Sequence, residues 1–117
     1  MAIGNIDNSY GNGYFISASG LMDASLRLDV SANNIANRNT NGFKPDRVDS
    51  IAQSGGGVQG LIVLGNPGML RDSTTPSQTD YATEAVNMTL ARRAFQANAK
   101  LIQAQHEADK SLVDMIG

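Results

Sequence analysis

A chain of 117 residues has room for one ordinary domain, and this one holds three Phe, three Tyr, no Trp and no Cys. Large side chains are scarce and disulfides are excluded, so the core of an isolated chain is thin and calls for support by oligomerisation. A formal net charge of −2 with acids and bases interspersed argues against a nucleic-acid footprint, the solitary His106 against a conventional zinc site, and no apolar run reaches the roughly 20 residues that span a bilayer.

Residues 1–13 are rich in Gly, Asn and Ser without sustained periodicity and read as a flexible N-terminal arm. They show neither a basic n-region nor an apolar h-region, so no cleaved secretion signal is expected. Composition alone reads as cytoplasmic.

From Tyr14 a helical pattern sets in over residues 14–41. Leu21, Leu28 and Ile35 fall seven apart, with Ala18, Ser25 and Ala32 between them at helical offsets. The flanks of this seam are small, which points to another helix as its neighbour. The helix should stop soon after Asn37, where Asn39-Thr40-Asn41-Gly42 supplies turn-forming residues and Phe43 pins the exit of the chain.

Residues 42–79 contain no convincing helix. Ser54-Gly55-Gly56-Gly57 reads as a hinge; it lacks the Lys-Ser/Thr end of a phosphate loop. The run Val58 to Leu64, the turn Gly65-Asn66-Pro67-Gly68 and the segment Met69 to Arg71 read as strand, turn and short strand. An isolated hairpin is marginal in water, so it should lean on a helix or a neighbouring subunit.

Over residues 80–117 the pattern is again helical, capped by Thr79 or Asp80, with Glu84 near the positive end of the dipole. Tyr81, Met88, Phe95, Ile102 and Ile116 share one heptad position, interrupted by Asp109, and Ala85, Ala91, Ala99 and Val113 widen the stripe. About 35 residues at 1.5 Å each make a rod of roughly 50 Å. The expected fold is therefore mainly α: two long terminal helices paired as an antiparallel-type coiled coil, with a short β-hairpin and a glycine-rich loop between them.

Asparagines stand out within the helices. Asn33 and Asn37 share a face with Asn34 beside them, and Asn87 and Asn98 lie three turns apart on another. Facing amides can fix register, whereas solvated asparagines are the bland alternative; Asn is a poor helix former, which favours the first reading. Arg92-Arg93 either meets acidic groups of neighbouring subunits or is a solvated helix face. His106 stands beside Glu107 and within a turn of Asp109, yet adjacent helical residues do not face each other, so no acid–base pair is expected.

The segment Leu28-Arg-Leu-Asp-Val-Ser-Ala-Asn-Asn-Ile-Ala-Asn-Arg-Asn-Thr-Asn-Gly-Phe-Lys44 resembles the N-terminal signature of the flagellar axial proteins, the rod and hook family. Glu84 to Ile102 is similar to that family's C-terminal signature, with Val86-Asn87-Met88, an aromatic at Phe95, and Ala97-Asn98-Ala99-Lys100 before an apolar pair. The resemblance implies a structural subunit of the basal-body rod, without enzyme chemistry, cofactor or metal. The resemblance further implies terminal helices that are poorly ordered in the monomer and order on assembly, and export by the flagellar type III apparatus without a cleaved signal. That places it in the basal body within the cell envelope, as a periplasmic rod where an outer membrane exists.

The implied partners are other rod and hook-basal-body proteins and further copies of the chain, with no nucleic acid and no transmembrane segment. On this reading the assembly interface draws on Leu21, Leu28, Asn33, Asn34, Ile35, Asn37, Asn41, Gly42 and Phe43 at one end, and on Val86, Asn87, Met88, Phe95, Asn98 and Ile102 at the other. The short middle fits a proximal-rod protein. The Thr40-Asn41-Gly42-Phe43-Lys44 form is commoner in distal-rod and hook relatives, which leaves a divergent or shortened paralogue open. A soluble helical adaptor or secretion-chaperone-like module is the rival from another class. A cell-wall enzyme would need a convergent acid pair, and the acids here are scattered.

Overall fold

The computed structural model describes the backbone of residues 2–68 and 72–117, and side chains from Gly13 onward within them. In chain order the elements are α1 (Ala2–Ala36), β1 (Arg47–Ala52), β2 (Val58–Val63) and α2 (Tyr81–Ile116). The helices lie against each other, and both strands lie against α1. The particle is elongated, 68 × 25 × 15 Å, as the length of the two helices requires.

α1 begins at Ala2, so the backbone of the expected arm is helical rather than irregular. Once a helix is nucleated each further residue adds a hydrogen bond. Gly and Asn weaken such a helix by roughly 0.5–1 kcal/mol apiece relative to Ala without breaking it. No proline stands before Pro45 to stop it.

The helix ends on its own asparagines. The Asn37 N–H is shared between the Asn33 and Asn34 carbonyls at 3.2 Å each, its side-chain amide donates to the Asn33 carbonyl at 2.9 Å, and Thr40 donates its hydroxyl to the Asn37 amide oxygen. Phe43 follows, only 3 % exposed, and fixes the exit as expected. The Gly42 N–H donates to the Thr75 carbonyl at 2.7 Å and the Gln78 N–H to the Phe43 carbonyl at 2.9 Å, so the approach to α2 is tied to the exit of α1.

The hairpin differs from the sequence reading. β2 is where it was expected, but its partner is β1, upstream, with Arg47 opposite Val63 and Ala52 opposite Val58 in an antiparallel ladder. The turn is the glycine run read as a hinge: Gly55, Gly56 and Gly57 have φ of 93°, 102° and 86°, values that residues with a Cβ rarely adopt. Gln53 and Gly57 close it through a 3.0 Å backbone hydrogen bond. The Gly65 to Gly68 segment folds back instead, with Asn66 accepting from the Lys44 N–H at 2.8 Å and Asp46 accepting from the Gly65 N–H at 2.9 Å. The expected second strand at 69–71 lies outside the described residues.

β1 is hard to read because Arg47-Val48-Asp49-Ser50 buries a single side chain, Val48. The hairpin leans on α1, as an isolated hairpin must. Ser19 accepts from the Val58 N–H at 3.1 Å, and Ser50 donates to Asp23 at 2.8 Å while also accepting from Arg27.

α2 is capped by Asp80, whose extended backbone (φ −97°, ψ 108°) lets its carboxylate accept from the Ala82 N–H and the Thr83 hydroxyl, both at 3.0 Å. Among the described residues the buried apolar set is Ala24, Val30, Phe43, Val48 and Ala91.

Candidate assembly interface

Apart from Val30, the described residues that α1 buries against α2 and the hairpin are small or polar. Ser17, Ala24, Ser31 and Asn34 are buried there, at helical three- and seven-residue offsets, and Gly20 shares the stripe. α2 answers with Glu84, Ala91, Asn98 and Gln105, seven apart. Gly20 is what permits the approach: a Cβ there would lie 2.7 Å from the Asn98 amide. The helices are thus joined by small residues and by polar pairs, Asn34 with Glu84 and Tyr14 with Asp109, rather than by interlocking leucines.

Asn34 is the junction of the fold. Its amide donates to the Asp46 carbonyl at 2.8 Å and to Glu84 Oε1 at 3.0 Å, while its amide oxygen accepts from the Asp46 N–H at 2.9 Å. One side chain, 1 % exposed, therefore joins α1, the chain entering β1 and the first turn of α2. Towards the other end Tyr14 donates to Asp109 Oδ2 at 2.6 Å. That hydrogen bond, with some desolvation and the neighbouring negative charge, raises the Tyr14 phenol above its ordinary value of 10.0.

The seam is incompletely satisfied. Ser17 Oγ, Glu84 Oε2 and Gln105 Oε1 are buried without a hydrogen-bond partner.

The sequence-derived stripes occupy the flanks of this seam. Leu21, Leu28 and Ile35 are half-buried on α1, as are Met88 and Ile102 on α2, while Val86 is 58 % and Phe95 43 % exposed. Leu21 and Phe95 do come together, lining a shallow groove between the helices with Met22, Ser25, Leu26 and Asp29. Of the asparagines, Asn34 is buried, Asn37 ends α1, and Asn98 packs on Gly20 and donates to the Ala94 carbonyl; Asn33, Asn41 and Asn87 face outward. Gly42 and Phe43 are buried at the exit turn.

A partner for Asn34 on the second helix was expected to be another amide; it is the Glu84 carboxylate. The three- and four-residue alternation of Gly13, Ser17, Gly20, Ala24, Arg27, Ser31 and Asn34 was the signal for the true seam, hidden behind the more conspicuous leucines.

Large apolar side chains are left outside. Met22, Leu64, Leu90, Val113, Met115 and Ile116 are exposed, as is Tyr81, over whose ring the Arg38 guanidinium sits at 5.3 Å. Scattered exposed hydrophobics are ordinary, but these run along both helices and the hairpin, while only five apolar residues are buried among those described. His106 is exposed, and among the described residues no cluster of acids and histidine could hold a metal ion and no helix is long and apolar enough to cross a membrane.

Two family models match this chain. The flagella basal body rod protein model matches residues 16–44, the second half of α1 with its exit turn. The flagellar basal body rod FlgEFG protein C-terminal model matches residues 76–115, the cap and nearly all of α2. Together they take in more than half of the chain, and they coincide with the two elements that pack on each other. No curated protein matches it.

Proposed function

The chain belongs to the flagellar basal body rod family and is a structural subunit of the rod, not an enzyme, and from that premise we propose that it assembles through the apolar flanks its own fold leaves uncovered. The observation that carries this is the division of labour on the helices. Small and polar residues close the seam within the chain, while Val86, Leu90, Phe95 and Leu101 remain outside, available to other subunits.

Leu21, Leu28, Ile35, Met88 and Ile102 form the borders of those contacts. Asn33, Asn41 and Asn87 add polar groups that face neighbours, while Asn34, Asn37, Asn98, Gly42 and Phe43 set the geometry from within. Partners are other rod and hook-basal-body subunits and further copies of the chain. Delivery through the flagellar type III apparatus fits a chain that gains most of its burial only on assembly. The brief segment between the two matched ends favours a proximal position along the rod.

The test is purification of hook-basal bodies from cells carrying an epitope tag on this chain. Its presence at a fixed ratio to other rod proteins supports the reading; its recovery only as free cytoplasmic protein would overturn it in favour of an adaptor.

A further inference from the structure

α2 carries a second helix-pairing face, which the chain itself leaves uncovered. Leu90, Ala94, Ala97, Leu101, Ala104 and Ala108 stand alternately four and three residues apart, the spacing of a coiled-coil seam, and all are exposed, Leu90 at 57 % and Leu101 at 49 %. The same spacing continues through Ser111 to Met115, so the stripe runs about 38 Å. Leu90 and Ala94 border the open groove of about 790 Å³ beside the hairpin, so the hairpin does not roof the stripe.

Along one flank of this stripe the charges are ordered. Arg93, Lys100, Glu107 and Asp114 follow one another seven residues apart, two cations and then two anions, all exposed and none in an ion pair among the described residues. Neither Arg93 nor Lys100 has an acid three or four residues away, so their own helix offers them no partner. Lys110 stands within a turn of both acids and pairs with neither. The opposite flank is Ala91, Asn98, Gln105 and Leu112, which carries no charge.

We infer that the α2 stripes of two copies pair antiparallel about a two-fold axis near Gln103, with Arg93 of each copy beside Asp114 of the other and Lys100 beside Glu107. Reversing one helix brings the same flank of both copies to the same side, and the order of two cations then two anions makes all four cross pairs opposite in sign. Two parallel helices would meet with unlike flanks, which sets the charges against neutral residues. The register that aligns the charges also packs the seam: Leu101 meets Ala104, Ala97 meets Ala108, and Leu90 and Met115 close the two ends.

Exposed ion pairs are individually weak, so they select orientation and register while the apolar stripe supplies affinity. Such a pair is isologous and closed, and it does not grow into a row. It is therefore a form of the free chain, outside the rod, that covers Leu90 and Leu101 before other subunits do.

Sedimentation of the purified chain at neutral pH tests the pairing. The wild-type chain should pass from monomer to dimer as its concentration rises and stop there. Arg93→Glu/Lys100→Glu should weaken the dimer at least about tenfold, because four attractive pairs become four repulsive ones. Adding Glu107→Lys/Asp114→Lys to that variant inverts the order of the charges, makes every cross pair opposite in sign again, and should restore the dimer. Orientation is read with thiols, since the chain has no natural Cys. Ala97→Cys mixed with Ala108→Cys should oxidise to a disulfide-linked dimer, while neither variant alone should, its two thiols lying about 16 Å apart along an antiparallel pair. A chain that stays monomeric or grows past the dimer, a dimer indifferent to the charge reversal or not restored by the swap, or disulfides within either single-cysteine variant would overturn the inference. All of these are read on the free chain, so its failure is distinct from a failure of the chain to enter basal bodies.

Discussion

Asn34 and Glu84, fifty residues apart in sequence, share a buried hydrogen bond of 3.0 Å that closes the chain on itself. Both lie within the segments matched by the rod-family models, one at each end. Because the same Asn34 amide also grips the Asp46 backbone, one side chain ties the entry of the hairpin to both helices.

Replacing Asn34 by Ala should therefore be the most damaging single asparagine change. It removes three hydrogen bonds and leaves the Glu84 carboxylate and the Asp46 N–H without their partner, a loss of about 2–4 kcal/mol. Asn33→Ala, at an exposed position, should fall within about 0.5 kcal/mol of wild type. Chemical denaturation of the assembled protein, comparing the two variants, reads the difference; equal effects would remove Asn34 from its role.

Gly20→Val probes the closeness of the seam. A Cβ at Gly20 meets the Asn98 amide at 2.7 Å, so a branched side chain must displace Asn98 and overfill the seam, at about 1–3 kcal/mol. Thermal unfolding of the variant should shift downward, and Asn98→Ala combined with it should recover part of the loss by removing the obstacle.

The outer stripe gives a prediction of the opposite kind. Phe95→Ala should reduce rod assembly, and with it the gain of helix on polymerisation, without removing any hydrogen bond of the intramolecular seam, because Phe95 sits on the flank and is 43 % exposed. Lys110→Ala, on an exposed and uncommitted position, should do neither. Swimming assays paired with circular dichroism distinguish the two; equal motility in both variants would count against the outer stripe.

Alkaline titration tests the Tyr14–Asp109 contact. The folded Tyr14 pKa is raised above its ordinary value of 10.0 mainly by the hydrogen bond to Asp109, so the folded chain holds that proton more tightly than the unfolded one. The stabilisation is complete below the unfolded value and is lost as pH rises through the folded one. The phenolate absorbance attributable to Tyr14, taken as wild type minus Tyr14→Phe, should titrate above 10.0, and Asp109→Asn should bring it down.

What the sequence made legible were the features with a strong local cause. Asp80 caps α2 because its carboxylate reaches the Ala82 N–H, and Asn37 with Gly42 and Phe43 ends α1; both follow from side chains acting on their own backbone. The helix seam was not legible from hydrophobic periodicity, since Leu21, Leu28 and Ile35 form the more conspicuous heptad while Ser17, Gly20 and Ala24 make the approach. Large residues mark a stripe that will be buried, but in a chain designed for other subunits they need not mark the stripe buried by the chain itself. β1 escaped notice because only Val48 of it faces inward, and three glycines in sequence suit a hairpin turn as well as a hinge. The match to the rod family, by contrast, rested on motifs at both ends and survives the change of seam.

Among the described residues a five-residue apolar core stands beside several exposed leucines and aromatics, which also bears on order before assembly. With little apolar burial to offset the conformational entropy of some seventy helical residues, at about 1–2 kcal/mol each, the dilute monomer should show low, non-cooperative helicity that rises on polymerisation. Circular dichroism across a concentration series checks this, and full cooperative helix at high dilution would count against it.

The most direct measurement of the central claim is electron microscopy of hook-basal bodies from a strain lacking this gene, alongside a swimming assay. A structural rod subunit predicts basal bodies arrested without a completed rod and cells that do not swim, both restored by the gene in trans. Complete rods and normal swimming in its absence would contradict the account.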